Sequence, residues 1–251
     1  MKVIEPEKKY DFWFRNGHVI DPARNIDEVT DVLVKGNKVV PAPEDGQVNP
    51  EDVKEVIECN GYYVLPGLID HHAHFSWNFN VTGVEPDLYT LPNGVTSCHD
   101  AGSVGSSGFE AFVRSTIYPA LVTMKASINV ASGGLCTPQY MEDIRPENYD
   151  EKGLEDLFSR YPQYIYGLKL RLGKDISDGM GVEPLKASVK LARKLNTRLS
   201  VHATYPLTPM QDIVNEMGEG DVLCHTFQRM GEYNILDANN KVLPEVLEAR
   251  E

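Results

Sequence analysis

The chain has 251 residues, of which 41% are hydrophobic and 24% charged, and its formal net charge is −13 at pH 7. This hydrophobic share is typical of a folded globular protein and too high for a disordered one. The acidic balance argues against binding to nucleic acid or to an anionic membrane, because both depend on clustered Lys and Arg. No stretch approaches the ~18 apolar residues of a membrane span, and the N-terminus has no apolar signal segment. We therefore expect a cytoplasmic protein whose four widely spaced cysteines are free thiols.

Residues 1–62 are predicted to form a small N-terminal β domain. Asn16-Gly17 and Gly36-Asn37 each lie between short apolar runs, a pattern typical of hairpin turns. A polar, proline-rich stretch and one further apolar run follow, without any helical periodicity. The expected unit is antiparallel, β-sandwich-like and free of helices.

Residues 63–251 alternate between short apolar runs and segments of helical period. The clearest helix starts at Glu183, with Pro184 in its first turn and one apolar stripe along its length. The candidate strands are 64–69, 95–99, 124–130, 165–172, 198–202 and 221–225. Such alternation predicts an α/β fold with a parallel sheet. A (β/α)8 TIM-type barrel needs eight β-α units and only about six are present, so the unit is either an open sheet or an incomplete barrel.

The run 66–74 carries the sharpest chemical signal. Alternate residues of a strand point to the same face, so Asp70, His72 and His74 share one face. Two imidazoles at i and i+2 can chelate one metal ion, and neutral imidazole is a common metal ligand. The alternative is a pair of surface histidines without a ligand.

A second signal lies in the strand 165–172, where Lys169 and Arg171 share the face opposite three leucines. Two cations in a barrel interior are costly unless they are compensated. A buried lysine can lose its proton and react with carbon dioxide, which gives an anionic carbamate able to bridge two metal ions. The alternative is a lysine at the strand rim that reaches solvent or a carboxylate.

Two further strands end in a single histidine, His202 and His225. Active sites of barrels lie at the carboxyl ends of the strands. Either histidine alone is compatible with a structural role, whereas several ligand-type residues at the same end favour a metal site. Cys224, next to His225, is expected to face the opposite way.

These residues resemble the metal-dependent amidohydrolase superfamily. The run 66–74 is similar to its P-G-[LI]-I-D-x-H-x-H signature, and the order of His72, His74, Lys169, His202 and His225 along successive strands is similar too. Within the superfamily the chain looks most like the dihydroorotase-like branch and its amidohydrolase/deacetylase subgroup. Segments similar to that subgroup are 93–96, 100–103, 167–171, 235–237 and 242–246.

The resemblance implies a (β/α)8 barrel with a binuclear site, usually of zinc. His72 and His74 would hold one ion and His202 and His225 the other, with a carbamylated Lys169 and a hydroxide between them. A hydroxide in that position would attack an amide or ester carbonyl.

Supporting roles fall to four more residues. Asp70 would support the histidines, and Arg171 is a candidate for holding the carbamate or a substrate carboxylate. His99 and Asp100, at the end of the second barrel strand, are candidates for lining the pocket. Relatives carry a general-base aspartate on the eighth strand, which has no counterpart in these residues.

The predicted function is that of a metal-dependent hydrolase acting on an N-acyl or O-acyl small molecule or a cyclic amide. A mononuclear deaminase of the same superfamily, lacking the bridging lysine, is one alternative. A non-catalytic fragment or partner subunit is the other, because two barrel strands are missing. The chain alone is therefore expected to be poorly active unless the full-length gene or a second polypeptide supplies two more β-α units. A homo-oligomer, the metal and the substrate are left open.

Overall fold

The computed structural model describes residues 7–80, 82–135, 142–177 and 179–250. The chain forms two compact units, one ending at Leu68 and the other beginning at Ile69. The predicted domain limits, 1–62 and 63–251, stay a prediction. Across the described residues no helix has both the length and the apolar character needed to cross a membrane.

The first unit is a five-stranded sheet in the order β3-β2-β1-β4, with β5 also paired to β1. Strands β1, β2 and β3 are antiparallel, as expected, whereas β4 and β5 run parallel to β1. Trp13, Leu33 and Val53 form its small core. The strands are β1 (Tyr10–Asp21), β2 (Ile26–Lys35), β3 (Lys38–Val40), β4 (Val53–Glu58) and β5 (Tyr63–Val64), and a 3-10 turn covers Pro50–Asp52.

The predicted hairpin at Asn16-Gly17 is wrong. These residues lie inside β1, where the register against β2 shifts between Phe14 and Gly17. Asn16 adopts φ 57°, and its N–H donates to Asp31 Oδ1 at 2.8 Å. Positive φ is used by Asn-Gly hairpin turns and also by one type of bulge, so the dipeptide does not distinguish them.

The second unit contains six parallel strands whose order in the sheet follows their order in the chain. This arrangement confirms the predicted α/β fold with about six units of a TIM-type barrel. The first strand begins at Leu68, later than predicted, because Val64 belongs to β5. The strands are β6 (Leu68–Ala73), β7 (Val95–Asp100), β8 (Thr123–Asn129), β9 (Ile165–Arg171), β10 (Arg198–His202) and β11 (Val222–Cys224).

Helical segments lie between these strands. The predicted helix at Glu183 is confirmed, and it buries Leu185 and Ala192 of its apolar stripe. The helices are α1 (Pro86–Thr90), α2 (Ser106–Phe112), α3 (Glu151–Arg160), α4 (Lys174–Ser177), α5 (Glu183–Lys194), α6 (Met210–Glu216) and α7 (Pro244–Glu248). Single 3-10 turns cover Leu91–Asn93 and Pro146–Asn148, and a π-turn, Val113–Ile117, extends α2.

The faces of β9 position the candidate site. Leu168 and Leu170 are fully buried in the same hydrophobic core as residues of the helices. Lys169 points to the other face, where it lies in register with Asn129 of β8 and Ser200 of β10. Residues in register on parallel strands share a face, so polar side chains from three strands meet there.

Candidate metal centre

The four predicted histidines lie together. The His225 ring centroid is 4.8 Å from that of His72 and 4.6 Å from that of His202. His72 lies on β6, and His74 directly follows the end of that strand. Their ring centroids are 6.0 Å apart. Side chains from the first, fifth and sixth barrel strands therefore converge, as the sequence predicts. Their role as ligands stays a prediction.

His225 reaches this cluster through an unusual backbone. Strand β11 ends at Cys224, and His225 adopts φ 60°, in the left-handed region. Few residues other than glycine adopt this conformation, and such residues concentrate at functional sites. The turn carries the imidazole between His72 and His202.

The imidazoles of the cluster are neutral. Burial lowers the pKa of His72 to about 3, with the Lys169 charge as a secondary cause. Burial also lowers the pKa of His202 to about 3, with Arg171 contributing next. The pKa values of His74 and His225 are lowered for the same first reason. Neutral imidazole is the form that binds metal.

Lys169 is the buried cation at the centre of the sheet, with 1% of its surface exposed. Its Nζ lies 3.6 Å from Cys224 Sγ, and no described carboxylate forms an ion pair with it. Burial lowers its pKa. The amine is therefore poised to be neutral and nucleophilic.

The expectation that Cys224 faces away from the site is wrong. Cys224 pairs in register with His202, so both side chains lie on the same face as Lys169. The error arose because His225 was counted as part of the strand. The alternation of Val222 and Cys224 along β11 was the signal that could have revealed the thiol.

Asp100 lies behind the histidines and not at the surface of a pocket. It is fully buried, and its Oδ1 accepts from the N–H groups of Gly102 at 3.1 Å and Ser103 at 2.7 Å. Its Oδ2 accepts from the Phe75 N–H and from Ser103 Oγ, both at 2.7 Å. Each oxygen of the Asp100 carboxylate thus accepts two hydrogen bonds from the protein itself. Asp100 therefore does not line a pocket, as was expected, but stabilises the loop behind the histidines.

Ser103 links this carboxylate to a ligand candidate. Its hydroxyl proton goes to Asp100, so its oxygen accepts from His74 Nδ1 at 2.9 Å. That assignment leaves the Nε2 lone pair of His74 free for a metal ion. A hydrogen bond of this kind fixes the tautomer and orientation of a ligand histidine. No sequence pattern marks the contact of Ser103 with His74, because that contact depends on the path of the loop after β7.

His99 is also occupied internally. Its Nδ1 donates to the His71 carbonyl at 2.8 Å, and its Nε2 accepts from Ser127 Oγ at 3.0 Å. Burial lowers its pKa to about 4. With both nitrogens bonded and 4% exposure, His99 presents no free polar atom to a substrate.

Arg171 forms an ion pair with Glu142, a residue that the sequence analysis missed. Asn129 Nδ2 donates to the same carboxylate at 2.7 Å. Burial raises the pKa of Glu142, and Arg171 opposes that shift. The carboxylate partner of Arg171 is thus internal. No periodicity marks Glu142, which lies in the loop after β8.

Asp70 supports β6 through its backbone. Its Oδ1 accepts from the His72 N–H at 3.0 Å. The predicted support of the histidines therefore takes the form of a contact to the strand that carries them.

The chemistry of the side chains in this cluster suits divalent metal ions. It offers four neutral imidazoles and a buried amine that can become an anionic oxygen ligand. Among the described residues, no three His, Cys, Asp or Glu side chains converge as a ready metal-binding group.

The chain is similar in sequence to several curated proteins. No protein-family model matches the chain. A deacetylase of Agrobacterium fabrum is 28% identical over 209 residues, covering 83% of this chain and 51% of that protein. A deacetylase of Brucella anthropi is 28% identical over 212 residues, covering 84% and 52%. A dihydroorotase of Streptococcus pneumoniae is 27% identical over 199 residues, covering 76% and 42%.

Solved structures share the fold. A dihydroorotase superposes with a TM-score of 0.77 and 24% identity, covering 89% of this chain and 59% of that one. An adenine deaminase superposes with a TM-score of 0.81 and 23% identity, covering 96% and 63%. The chain spans about half the length of the first curated relatives it matches. Together with the residues above, these similarities support the resemblance of the chain to the amidohydrolase superfamily and to its dihydroorotase-like branch.

Proposed function

We propose that this chain carries the metal-binding part of a hydrolase that cleaves an amide or ester bond. The substrate class is an N-acyl or O-acyl small molecule or a cyclic amide. The observation that carries the proposal is the cluster of neutral imidazoles beside a buried lysine that has no described ion-pair partner. The curated relatives named deacetylase and dihydroorotase are hydrolases, which supports the reaction type.

The proposed cofactors are two divalent ions, zinc in the first instance. His72 and His74 would hold one ion and His202 and His225 the other, with Lys169 as a carbamate between them. When bound, such ions polarise a carbonyl and lower the pKa of water enough to supply a nucleophile near neutral pH.

The protein groups prepare this arrangement. Burial lowers the pKa of the Lys169 amine, which favours the neutral form whose lone pair can add to carbon dioxide. A nitrogen–carbon bond forms, and the nitrogen releases one proton to water, which leaves the carbamate anion. Ser103 holds His74 in the tautomer whose Nε2 can bind, and Glu142 keeps the Arg171 guanidinium beside the strand end.

Turnover is proposed to need additional polypeptide. The chain spans about half the length of the first curated relatives, and β6 and β11 form the two outer edges of the described six-stranded sheet. Two more β-α units, from a longer gene product or a second chain, would pair with these edges and supply the general-base aspartate. We also propose a reducing, cytoplasmic location, consistent with free thiols at Cys59, Cys98 and Cys224.

The experiment measures binding and lysine chemistry, because the chain alone is expected to turn over poorly. The protein is prepared with zinc and ¹³C-bicarbonate, and bound metal and the carbamate carbon signal are quantified. We expect two zinc ions and one carbamate, which Lys169→Gln removes while Lys190→Gln, on the exposed face of α5, retains both.

The outcomes separate the alternatives. One zinc ion with an unmodified Lys169 would favour the mononuclear deaminase. Zinc binding no stronger than in a His72→Asn, His202→Asn double variant, without a carbamate signal, would refute the metal site and leave the non-catalytic fragment.

A further inference from the structure

The Lys169–Cys224 contact joins a nucleophile and an oxidisable atom in one buried space. Lys169 Nζ and Cys224 Sγ are 3.6 Å apart. Lys169 is 1% exposed and Cys224 is 7% exposed. Cys224 lies on β11 and Lys169 on β9, so the lysine side chain passes across β10 to reach the thiol.

The strand between them offers no competing partner. Ser200 of β10 pairs in register with Lys169 and is 2% exposed. Its Oγ has no hydrogen-bond partner within the described parts of the chain. Lys169 Nζ is therefore left with a thiol as its hydrogen-bonded neighbour among the described residues.

We propose that Cys224 and Lys169 are a covalent modification site, at which a peroxide joins Sγ to Nζ as a sulfenamide. In the first step the thiol sulfur attacks hydrogen peroxide, an S–O bond forms, the O–O bond breaks, and one water leaves. The thiol is thereby oxidised to a sulfenic acid, and the peroxide is reduced. In the second step the Lys169 amine attacks the sulfenyl sulfur, the S–O bond breaks, an S–N bond forms, and a second water leaves. The sum is the loss of two hydrogens from the protein.

The other described cysteines lack this arrangement. Cys59 Sγ donates to the Ile57 carbonyl at 3.5 Å, and no described lysine contacts Cys98. Of the three described cysteines, Cys224 is therefore the one at which the bond should form. A lysine engaged in it cannot accept carbon dioxide, and this consequence for activity, unlike the bond itself, rests on the proposed function.

The test treats the metal-free chain with a small excess of hydrogen peroxide and measures intact mass and tryptic fragments. We expect a mass loss of about 2 Da, a linked fragment containing positions 169 and 224, no cleavage after Lys169, and reversal by dithiothreitol. Cys224→Ser should abolish the linked fragment, and Cys98→Ser should retain it, with circular dichroism showing that both variants fold.

Other outcomes would overturn the modification. A mass loss that maps to a disulfide, or a gain of oxygen on Cys224 without linkage, contradicts it.

A second arm of the experiment adds zinc and bicarbonate before the peroxide. Protection at least several-fold is expected if Lys169 is carbamylated, whereas equal cross-linking with and without them would reject the proposed metal site and leave the covalent link standing.

Discussion

Ser103 connects a buried carboxylate to the histidine cluster. Its hydroxyl donates to Asp100 and accepts from His74, so the proton positions on three groups are set together. Neither contact is exposed, because Ser103 and Asp100 are fully buried. The tautomer of His74 is thus determined by the fold before any ion binds.

Replacing Ser103 by alanine should weaken metal binding while leaving the fold intact. Loss of a hydrogen bond to a ligand histidine typically costs ~10–100-fold in metal affinity. Zinc affinity would be measured by competition with a chromophoric chelator. Ser107→Ala is the matched control, because Ser107 donates to the Ser132 carbonyl outside the cluster. Equal affinity in Ser103→Ala and the unsubstituted chain would contradict the role assigned to Ser103.

At this scale the two-residue period of a strand predicted that side chains such as Lys169 and His202 point to one face, while their role as ligands stays a prediction. His225 joins them through the turn after β11 and not through the strand period. The sequence did not predict the contacts of Ser103 and Glu142 or the orientation of Cys224. These depend on where β7 and β11 end and on how loops return, which periodicity does not encode. Asp100 was identified from its position, but its contacts are internal.

Among the elements, the turn after β7 carries the tightest restraint on the site. Gly102 adopts φ +85°, and a Cβ there would overlap Cβ and Cγ of Lys169. Glycine is therefore required twice, for its backbone conformation and for the space occupied by the lysine stem.

Gly102→Ala should destabilise the chain by about 2–4 kcal/mol, combining left-handed strain with overpacking against Lys169. Gly94→Ala is the control, because Gly94 has a similar φ of +73° with nothing within 4 Å of the added Cβ. That variant should lose only about 1–2 kcal/mol. Urea unfolding measures both, and equal losses would show that close approach to Lys169 contributes nothing.

The elements of the second unit were predicted well because each parallel strand is a short apolar run. The first unit was predicted less well. Asn16-Gly17 is compatible with both a hairpin turn and a bulge. Only the pairing of β1 with β2 on both sides of this dipeptide distinguishes the two. The parallel pairing of β4 and β5 with β1 has no local sequence signal.

The whole molecule should lose stability in mild acid when it is metal-free. The folded pKa values of His72, His99 and His202 are about 3, 4 and 3, against an ordinary value of 6.5. The unfolded chain therefore binds more protons below pH 6.5, so the stabilising contribution is complete above that pH and is lost as pH falls toward 3–4.

Urea unfolding midpoints should consequently fall between pH 7 and pH 5. Carboxylates with lowered pKa, such as Asp143 at about 2, contribute only below about pH 4 and do not affect this window. His72→Asn should flatten the slope by removing one of the titrating groups. A midpoint independent of pH in this range would contradict the neutral imidazoles.

The contact between His72 and His225 has a mechanical consequence for the sheet. His72 belongs to one outermost strand, and His225 directly follows the other, yet their rings are 4.8 Å apart. The six strands must curl far enough to bring their opposite margins within reach of each other. A bridged pair of ions held from both sides would act as a clasp across the gap, so that loading the site would also tie the first and last strands of this unit together.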